Sequence, residues 1–264
     1  MLAVVINRTR PVRVGVQVQP QHAGYPAIRD TVRALEDLGV DIVFNWDHFF
    51  PLRGDPDGRH FESWTMLAAI AEQTERVELG CLVNCNSYRN PDLQADMART
   101  IDHISGGRFI FGTGAGWFEK DYDEYGYEFG TPGTRLAALG EALPRIEARW
   151  AELNPPPVRK IPVLIGGGGV RKTLRLVARH ADIWHSFSDL PTLQHKLGVL
   201  GEHCAAEGRD ISDIEISIER ANPKTATALH EGGATLFTIG LSGPDYSLDA
   251  VRAMLAWRDA VNAG

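Results

Sequence analysis

Short runs rich in β-branched and aromatic residues alternate along the chain with longer segments whose apolar residues recur at helical spacing. In the first of these segments, Ile28, Val32 and Leu35 fall at i, i+4 and i+7, which predicts one buried helix face. Strands that alternate with helices are typical of a parallel sheet with helical crossovers. The eight predicted strands are Val12–Val18, Asp41–Trp46, Val77–Val83, Phe109–Gly112, Val163–Ile165, Asp182–Trp184, Glu215–Ile218 and Thr235–Leu241.

Two further helical segments support the same pattern. One starts at Thr131, a residue type that caps helices, and continues with Pro132, which is tolerated in the first turn. The other predicts a buried stripe of four residues: Leu93, Met97, Ile101 and Ile104.

Eight strand–helix units predict a closed (β/α)8 TIM barrel, because closure leaves eight parallel strands without an exposed edge. We expect a single α/β domain over residues 12–264, preceded by an N-terminal extension over residues 1–11. An open, doubly wound sheet is the alternative.

Composition and charge narrow the class of partner. The 264 residues are 44% hydrophobic and carry a net charge of −7, which argues against nucleic acid or an anionic membrane as the main partner and favours a small-molecule substrate. No apolar run approaches the roughly 20 residues that span a bilayer, and we expect a cytoplasmic protein. Cys81 and Cys85 lie in what reads as a buried strand, without a second ligand pair, so no metal site is predicted.

Barrel enzymes build their active sites at the carboxyl ends of the strands. The residues at these positions are mostly polar or glycine: Gln17, Gln19, Asp47, His48, Asn84, Asn86, residues 114–117 and 166–169, His185, Ser186, Glu219 and Arg220, with Leu241 at the end of the last strand.

Four consecutive glycines follow the fifth predicted strand. Gly166, Gly167, Gly168 and Gly169 are followed by Val170 and a helical pattern, and we call this segment the glycine loop. Glycines allow backbone amides to approach an anion, while the next helix directs its positive end to the same place. The loop therefore predicts a phosphate site, although barrels more often place one after strands seven and eight. A turn without a ligand is the alternative.

A second glycine run ends the fourth predicted strand. Gly112, Gly114, Ala115 and Gly116 precede Trp117. Glycine within a strand packs nothing, so its accumulation predicts the close approach of a flat or bulky group such as a ring system. A tight turn with a helix packed over it would explain the same residues.

The second predicted strand ends in Trp46-Asp47-His48. A carboxylate and an imidazole at a barrel rim can transfer protons, since histidine titrates near neutral pH. The same side chains can equally cap neighbouring loops.

Motifs in a fixed order give the chain a specific family resemblance. These motifs lie in segments 38–49, Trp64, 76–80, 88–91, 101–119, 161–169 and 178–182. With them the sequence resembles the bacterial luciferase-like oxidoreductases, and the forms GAGWFE and WDH resemble the branch that uses the deazaflavin coenzyme F420 rather than FMN.

The resemblance implies where a cofactor lies. The ring would cross the strand ends with its phosphate against the glycine loop, and a non-proline cis peptide at Leu82–Val83 would form a bulge behind it. By the same matching, Asp47 would bind the ring or its side chain, and Asn84 would lie beside the bulge. Gly114, Ala115 and Gly116 would line the ring, and His48 would be the catalytic proton donor or acceptor.

Departures from the family limit the substrate. Leu52 and Trp117 replace a tryptophan and a glutamate of the F420-dependent sugar-phosphate dehydrogenases, which argues against that activity. A short connector at residues 154–158 implies an open pocket, closed by a large substrate or by a second subunit in a homodimer. The sequence thus favours an F420-dependent oxidoreductase. The alternatives are an FMN-dependent monooxygenase and a non-catalytic deazaflavin-binding protein.

Overall fold

The predicted strands close into a parallel barrel surrounded by helices. The computed structural model describes residues 10–219 and 222–264. The strands are β1 (Arg13–Val18), β2 (Ile42–Asn45), β3 (Glu78–Cys81), β4 (Asn84–Cys85), β5 (Phe109–Gly114), β6 (Val163–Gly166), β7 (Ile183–Ser186), β8 (Glu215–Glu219) and β9 (Leu236–Leu241). The order β3-β2-β1-β9-β8-β7-β6-β5-β4 is closed by a β3–β5 pairing.

The nine described strands occupy eight positions around the barrel, because β3 and β4 are two parts of the third predicted strand. A bulge at residues 82 and 83 separates them, and both parts pair with β5. The prediction of a single-domain (β/α)8 barrel is therefore confirmed, and the open sheet is not formed. The predicted extension over residues 1–11 lies mostly outside the described residues.

Nine helices are described. They are α1 (Tyr25–Asp37), α2 (Ser63–Gln73), α3 (Pro91–Ile104), α4 (Glu119–Tyr125), α5 (Pro132–Glu152), α6 (Thr173–His180), α7 (Leu190–Ala206), α8 (Pro223–Glu231) and α9 (Asp249–Ala263), with 3-10 turns at Asn86–Tyr88 and Ile211–Asp213. Thr131 caps α5 in a capping box, as predicted. Within the described part of the chain, no helix is both long and apolar enough to cross a lipid bilayer.

The apolar core has two layers. The larger one lies between the strands and the helices and includes Val14, Val16 and Trp184. A smaller one fills the barrel interior with residues such as Phe44 and Leu164.

The predicted buried stripe of α3 is wrong for two of its residues. Leu93 is 51% exposed and Ile104 is 40% exposed. The helix instead turns Ala95, Ala98 and Ile101 inward. Small residues on this face leave room for α5, whose Trp150 indole donates to the Ala95 carbonyl at 3.1 Å.

Candidate active site at the barrel mouth

A cavity of about 650 Å³ opens at the carboxyl ends of the strands. A wider depression of about 800 Å³ lies at the opposite end of the barrel, where ion pairs such as Lys160–Asp182 engage the charged groups. The mouth is therefore the better candidate. Its lining includes the predicted residues Asp47, His48, Leu82, Val83, Asn84, Gly114, Ala115, Gly116, Gly166 and Gly167, with Gln17, Gln19, Trp117, His185 and Glu219.

Some predicted rim residues lie elsewhere. Gly168 lines an adjoining pocket of about 380 Å³, and neither Asn86 nor Leu241 lines the cavity. Arg220 is outside the described residues.

Val83 forms the floor of the cavity. The Leu82–Val83 peptide is cis, at the position that the family resemblance implied. The Gln17 side-chain amide donates to the Leu82 carbonyl at 2.6 Å. A Cβ added at Gly114 or Gly166 would lie 2.8 or 2.9 Å from the Val83 methyl groups, so these two glycines make room for that side chain.

Protein neighbours also account for the rest of the glycine run on β5. A side chain at Gly112 would meet the Cys81 carbonyl. Gly116 has a φ of 80° and lies against the Tyr122 hydroxyl of α4. The alternative of a tight turn under a helix fits Gly116, and the lining of a ring by Gly114, Ala115 and Gly116 stays a prediction.

Asp47 belongs to a buried ion pair. Its side chain is fully buried, and it accepts hydrogen bonds from Arg89 at 2.6 and 3.0 Å and from the Cys85 amide at 3.0 Å. Arg89 also donates to Glu62 at 2.8 Å. Burial raises the pKa of Asp47, whereas the guanidinium beside it opposes that rise.

Asn84 links this pair to the bulge. Its side-chain oxygen accepts from the Trp64 indole at 2.8 Å and from Arg89 at 3.2 Å, while its amide donates to Gln94 at 2.6 Å. Sequence reasoning missed Arg89 as part of the site, although it stands in the quoted 88–91 motif.

His48 is oriented by a carboxylate from α4. Its Nδ1 lies 2.7 Å from Oδ2 of Asp121, whose side chain is fully buried. The same Oδ2 accepts from the Tyr88 hydroxyl at 2.9 Å, and Oδ1 accepts from the Phe49 amide at 3.1 Å. Sequence reasoning did not identify Asp121.

Aromatic rings surround the His48 imidazole. Trp46, Trp117 and Phe118 contact it edge to face, with centroid distances of 5.9, 5.7 and 5.5 Å. The Trp46 indole donates to Nε2 of His60 at 3.0 Å. Burial, followed by the charge of His48, lowers the pKa of His60 to about 4, so His60 is a neutral acceptor at physiological pH.

His185 places a polar atom against the opposite wall of the cavity. The residue is 2% exposed, and its Nδ1 lies 2.9 Å from the Ser217 hydroxyl. Its buried Nε2 makes no hydrogen bond in the described part of the chain, although the Glu219 carboxylate is 3.6 Å away.

The glycine loop presents backbone donors next to the cavity. The Gly167 amide donates to the His185 carbonyl at 3.1 Å. The amides of Gly168, Gly169 and Val170 have no acceptor among the described residues. They precede α6, and the Lys196 ammonium lies against Gly168.

Comparison with known protein families assigns the chain to one of them. A family model described as luciferase-like monooxygenase matches residues 9–222. The chain belongs to this family. The luciferase-like resemblance and its barrel are thus confirmed, while no group of His, Cys, Asp or Glu residues in the described ranges is placed to hold a metal ion.

Several similar proteins are described as F420-dependent enzymes. An uncharacterised protein of Mycobacterium tuberculosis is 29% identical over 77% of this chain and 79% of its own length. An F420-dependent glucose-6-phosphate dehydrogenase of Intrasporangium calvum is 34% identical over 64% of this chain, and the match spans 54% of that enzyme. An F420-dependent secondary alcohol dehydrogenase, solved with an F420–acetone adduct, has a TM-score of 0.84 at 17% identity and covers 94% of this chain and 99% of its own.

Proposed function

We propose that the chain is a coenzyme F420-dependent oxidoreductase that transfers hydride between the deazaflavin and an organic substrate. The observation that carries the proposal is one cavity with His48, held by Asp121, at one wall and Gly166 and Gly167 of the glycine loop at the other. The next three amides of that loop have no acceptor among the described residues. The F420-dependent relatives support the choice of cofactor.

The residues present fit this cofactor. A cavity of about 650 Å³ has the size of typical cofactor sites, and Val83, Gly114 and Ala115 would lie beside the ring. The amides of Gly168, Gly169 and Val170 would hold its phosphate at the positive end of α6. His185 would donate to, or accept from, a polar group of the bound molecule through Nε2, which makes no hydrogen bond within the described residues. Asp47 and Asn84 would keep the bulge and its surroundings in place.

Bound F420 would supply two-electron hydride chemistry. The chain would give or take the accompanying proton at His48: its Nδ1 faces Asp121, and its Nε2 has no partner among the described residues beside the cavity. The apolar floor and the aromatic rings around His48 would limit access of water to that nitrogen.

The rim suggests how the substrate would be covered. Trp117 and Phe187 border the cavity and are 63% and 66% exposed. We propose that a large substrate or a second copy of the chain covers these rings, as expected from the short connector after α5.

A titration distinguishes the candidate cofactors. We expect F420 to change its fluorescence on binding with much higher affinity than FMN; tighter binding of reduced FMN, with oxygen consumption, would support the FMN-dependent monooxygenase that the family description also allows. Tight F420 binding without turnover of any alcohol, aldehyde, ketone or activated alkene in a broad panel would instead indicate a non-catalytic binding protein.

The role of His48 has its own test. We expect His48→Asn to bind F420 as the wild type does and to slow single-turnover transfer with a competent substrate by roughly 10²–10⁴, the usual contribution of general acid–base catalysis. An unchanged single-turnover rate would exclude His48 as the proton-transferring group.

A further inference from the structure

The Asp121 carboxylate contacts one of the two ring nitrogens of His48, and the other nitrogen is on the side of the cavity. We propose that Asp121 is a positioning residue that holds the imidazole proton on Nδ1 and thereby makes Nε2 the base for a substrate hydroxyl group. The inference rests on the proposed function and extends it to alcohols and, in the reverse direction, to carbonyl compounds.

The contacts of an ionised Asp121 place a proton on Nδ1 of His48. Its side chain is fully buried, and an ionised carboxylate only accepts hydrogen bonds. Since Oδ2 lies 2.7 Å from Nδ1 of His48, that nitrogen must donate. Phe49 and Tyr88 supply the other two donors, at 3.1 and 2.9 Å.

The consequence lies at the cavity. A neutral imidazole with its proton on Nδ1 has a lone pair on Nε2. The His48 side chain retains 12% exposure, and it lines the cavity. A substrate hydroxyl would give its proton to Nε2 while the hydrogen on the same carbon would leave as hydride to bound F420. The imidazolium that forms would keep its hydrogen bond to the Asp121 carboxylate. In the reverse reaction Nε2 returns the proton to a carbonyl oxygen.

The Phe49 amide makes a sharp test available. In Asp121→Asn, the side-chain oxygen must stay at the position of Oδ1 because the Phe49 amide can only donate. The new NH2 group then faces Nδ1 of His48 and the Tyr88 hydroxyl. Nδ1 is forced to accept, so the proton moves to Nε2. The variant is nearly isosteric, yet it converts the base at the cavity into a donor.

The first measurement needs no cofactor. Nitrogen-15 NMR of the histidine rings reports which nitrogen is protonated, and a His48→Asn spectrum identifies the signals of His48. We expect the wild type to carry its neutral-form proton on Nδ1 and Asp121→Asn to carry it on Nε2. Tyr88→Phe removes another hydrogen bond to the same carboxylate and should keep the proton on Nδ1. A wild-type proton on Nε2 would overturn the proposal even if the variant failed to fold.

The second measurement separates positioning from binding. With F420 and an alcohol that the wild type oxidises, Asp121→Asn should lower kcat by about 10²–10⁴, change the F420 dissociation constant less than threefold and alter the pH profile of kcat/KM. Asp123→Asn makes the same chemical change at an exposed position of α4 and should match the wild type. If Asp121→Asn keeps wild-type kcat and pH profile, Asp121 does not position a base. If the wild type binds no F420, the proposed function fails while the NMR result still decides the protonation state.

Discussion

Removing the cation of the buried Arg89–Asp47 pair should destabilise the fold strongly. Arg89→Met keeps an apolar stem beside Trp64 but leaves the fully buried Asp47 carboxylate with the Cys85 amide as its one remaining donor among the described residues. Breaking a buried ion pair by removing one partner typically costs about 3–5 kcal/mol, and Arg89 is the only side chain that hydrogen-bonds Asp47 among the described residues.

The loss should depend on pH in a defined direction. Burial already raises the pKa of Asp47, and loss of the guanidinium raises it further. A carboxyl group with a raised pKa in the folded state favours folding below its unfolded pKa of about 3.9, and this contribution is lost as the pH rises through the folded value. The deficit of Arg89→Met relative to the wild type should therefore be larger at pH 8 than at pH 5.

Urea unfolding at both pH values measures the effect. Adding Asp47→Asn to Arg89→Met should recover most of the lost free energy, because the double variant buries no charge. Arg145→Met breaks the exposed pair with Asp92 and should leave unfolding close to that of the wild type. A deficit under about 1 kcal/mol at pH 8, or one that Asp47→Asn does not relieve, would refute the assignment of Arg89 as the essential counter-ion.

Two further outcomes follow from the site. Gly116→Ala should lower the free energy of unfolding by about 2–5 kcal/mol, since it adds a positive-φ penalty to a clash with Tyr122. Gly126→Ala has a similar φ of 69° with open space around it and should cost about 1 kcal/mol, so equal losses in the two variants would contradict the clash. The wild type should lose up to about 3 kcal/mol of stability as the pH falls from 6.5 to about 4. The reason is that burial lowers the pKa of His60 to about 4 in the folded state, so over this range His60 binds a proton in the unfolded chain and stays neutral in the folded one. His60→Gln keeps an acceptor for Trp46 and should flatten that part of the pH–stability curve; an unchanged curve would assign the loss to other groups.

The barrel could be predicted from the sequence because its strands are short runs rich in β-branched and aromatic residues, which alternate with segments of helical periodicity. The polar residues after the strands were found for the same reason, since strand ends locate the mouth of a barrel. The α3 stripe failed because periodicity counts large apolar residues. It does not show that Ala95 and Ala98 face inward when Trp150 of α5 needs the space.

The parts of the site that escaped prediction depend on distant partners. Asp121 is 73 positions from His48, and Arg89 is 42 positions from Asp47. The strand order brings these residues together, since β3 pairs with both β2 and β5, and neither residue has a local pattern that differs from an ordinary surface charge. The sequence also did not show why Gly114 and Gly166 are glycines. A glycine that makes room for the Val83 side chain cannot be distinguished in the sequence from one that makes room for a ligand.

The seating of Val83 between Gly114 and Gly166 has a consequence for how this mouth can diversify. The Val83 side chain packs against glycines on two neighbouring strands. The base of the pocket is therefore held in place by the sheet itself. Loops around the entrance can then be lengthened, shortened or exchanged without disturbing that base. Selectivity among reactants can change at the rim while the surface beneath them keeps its shape.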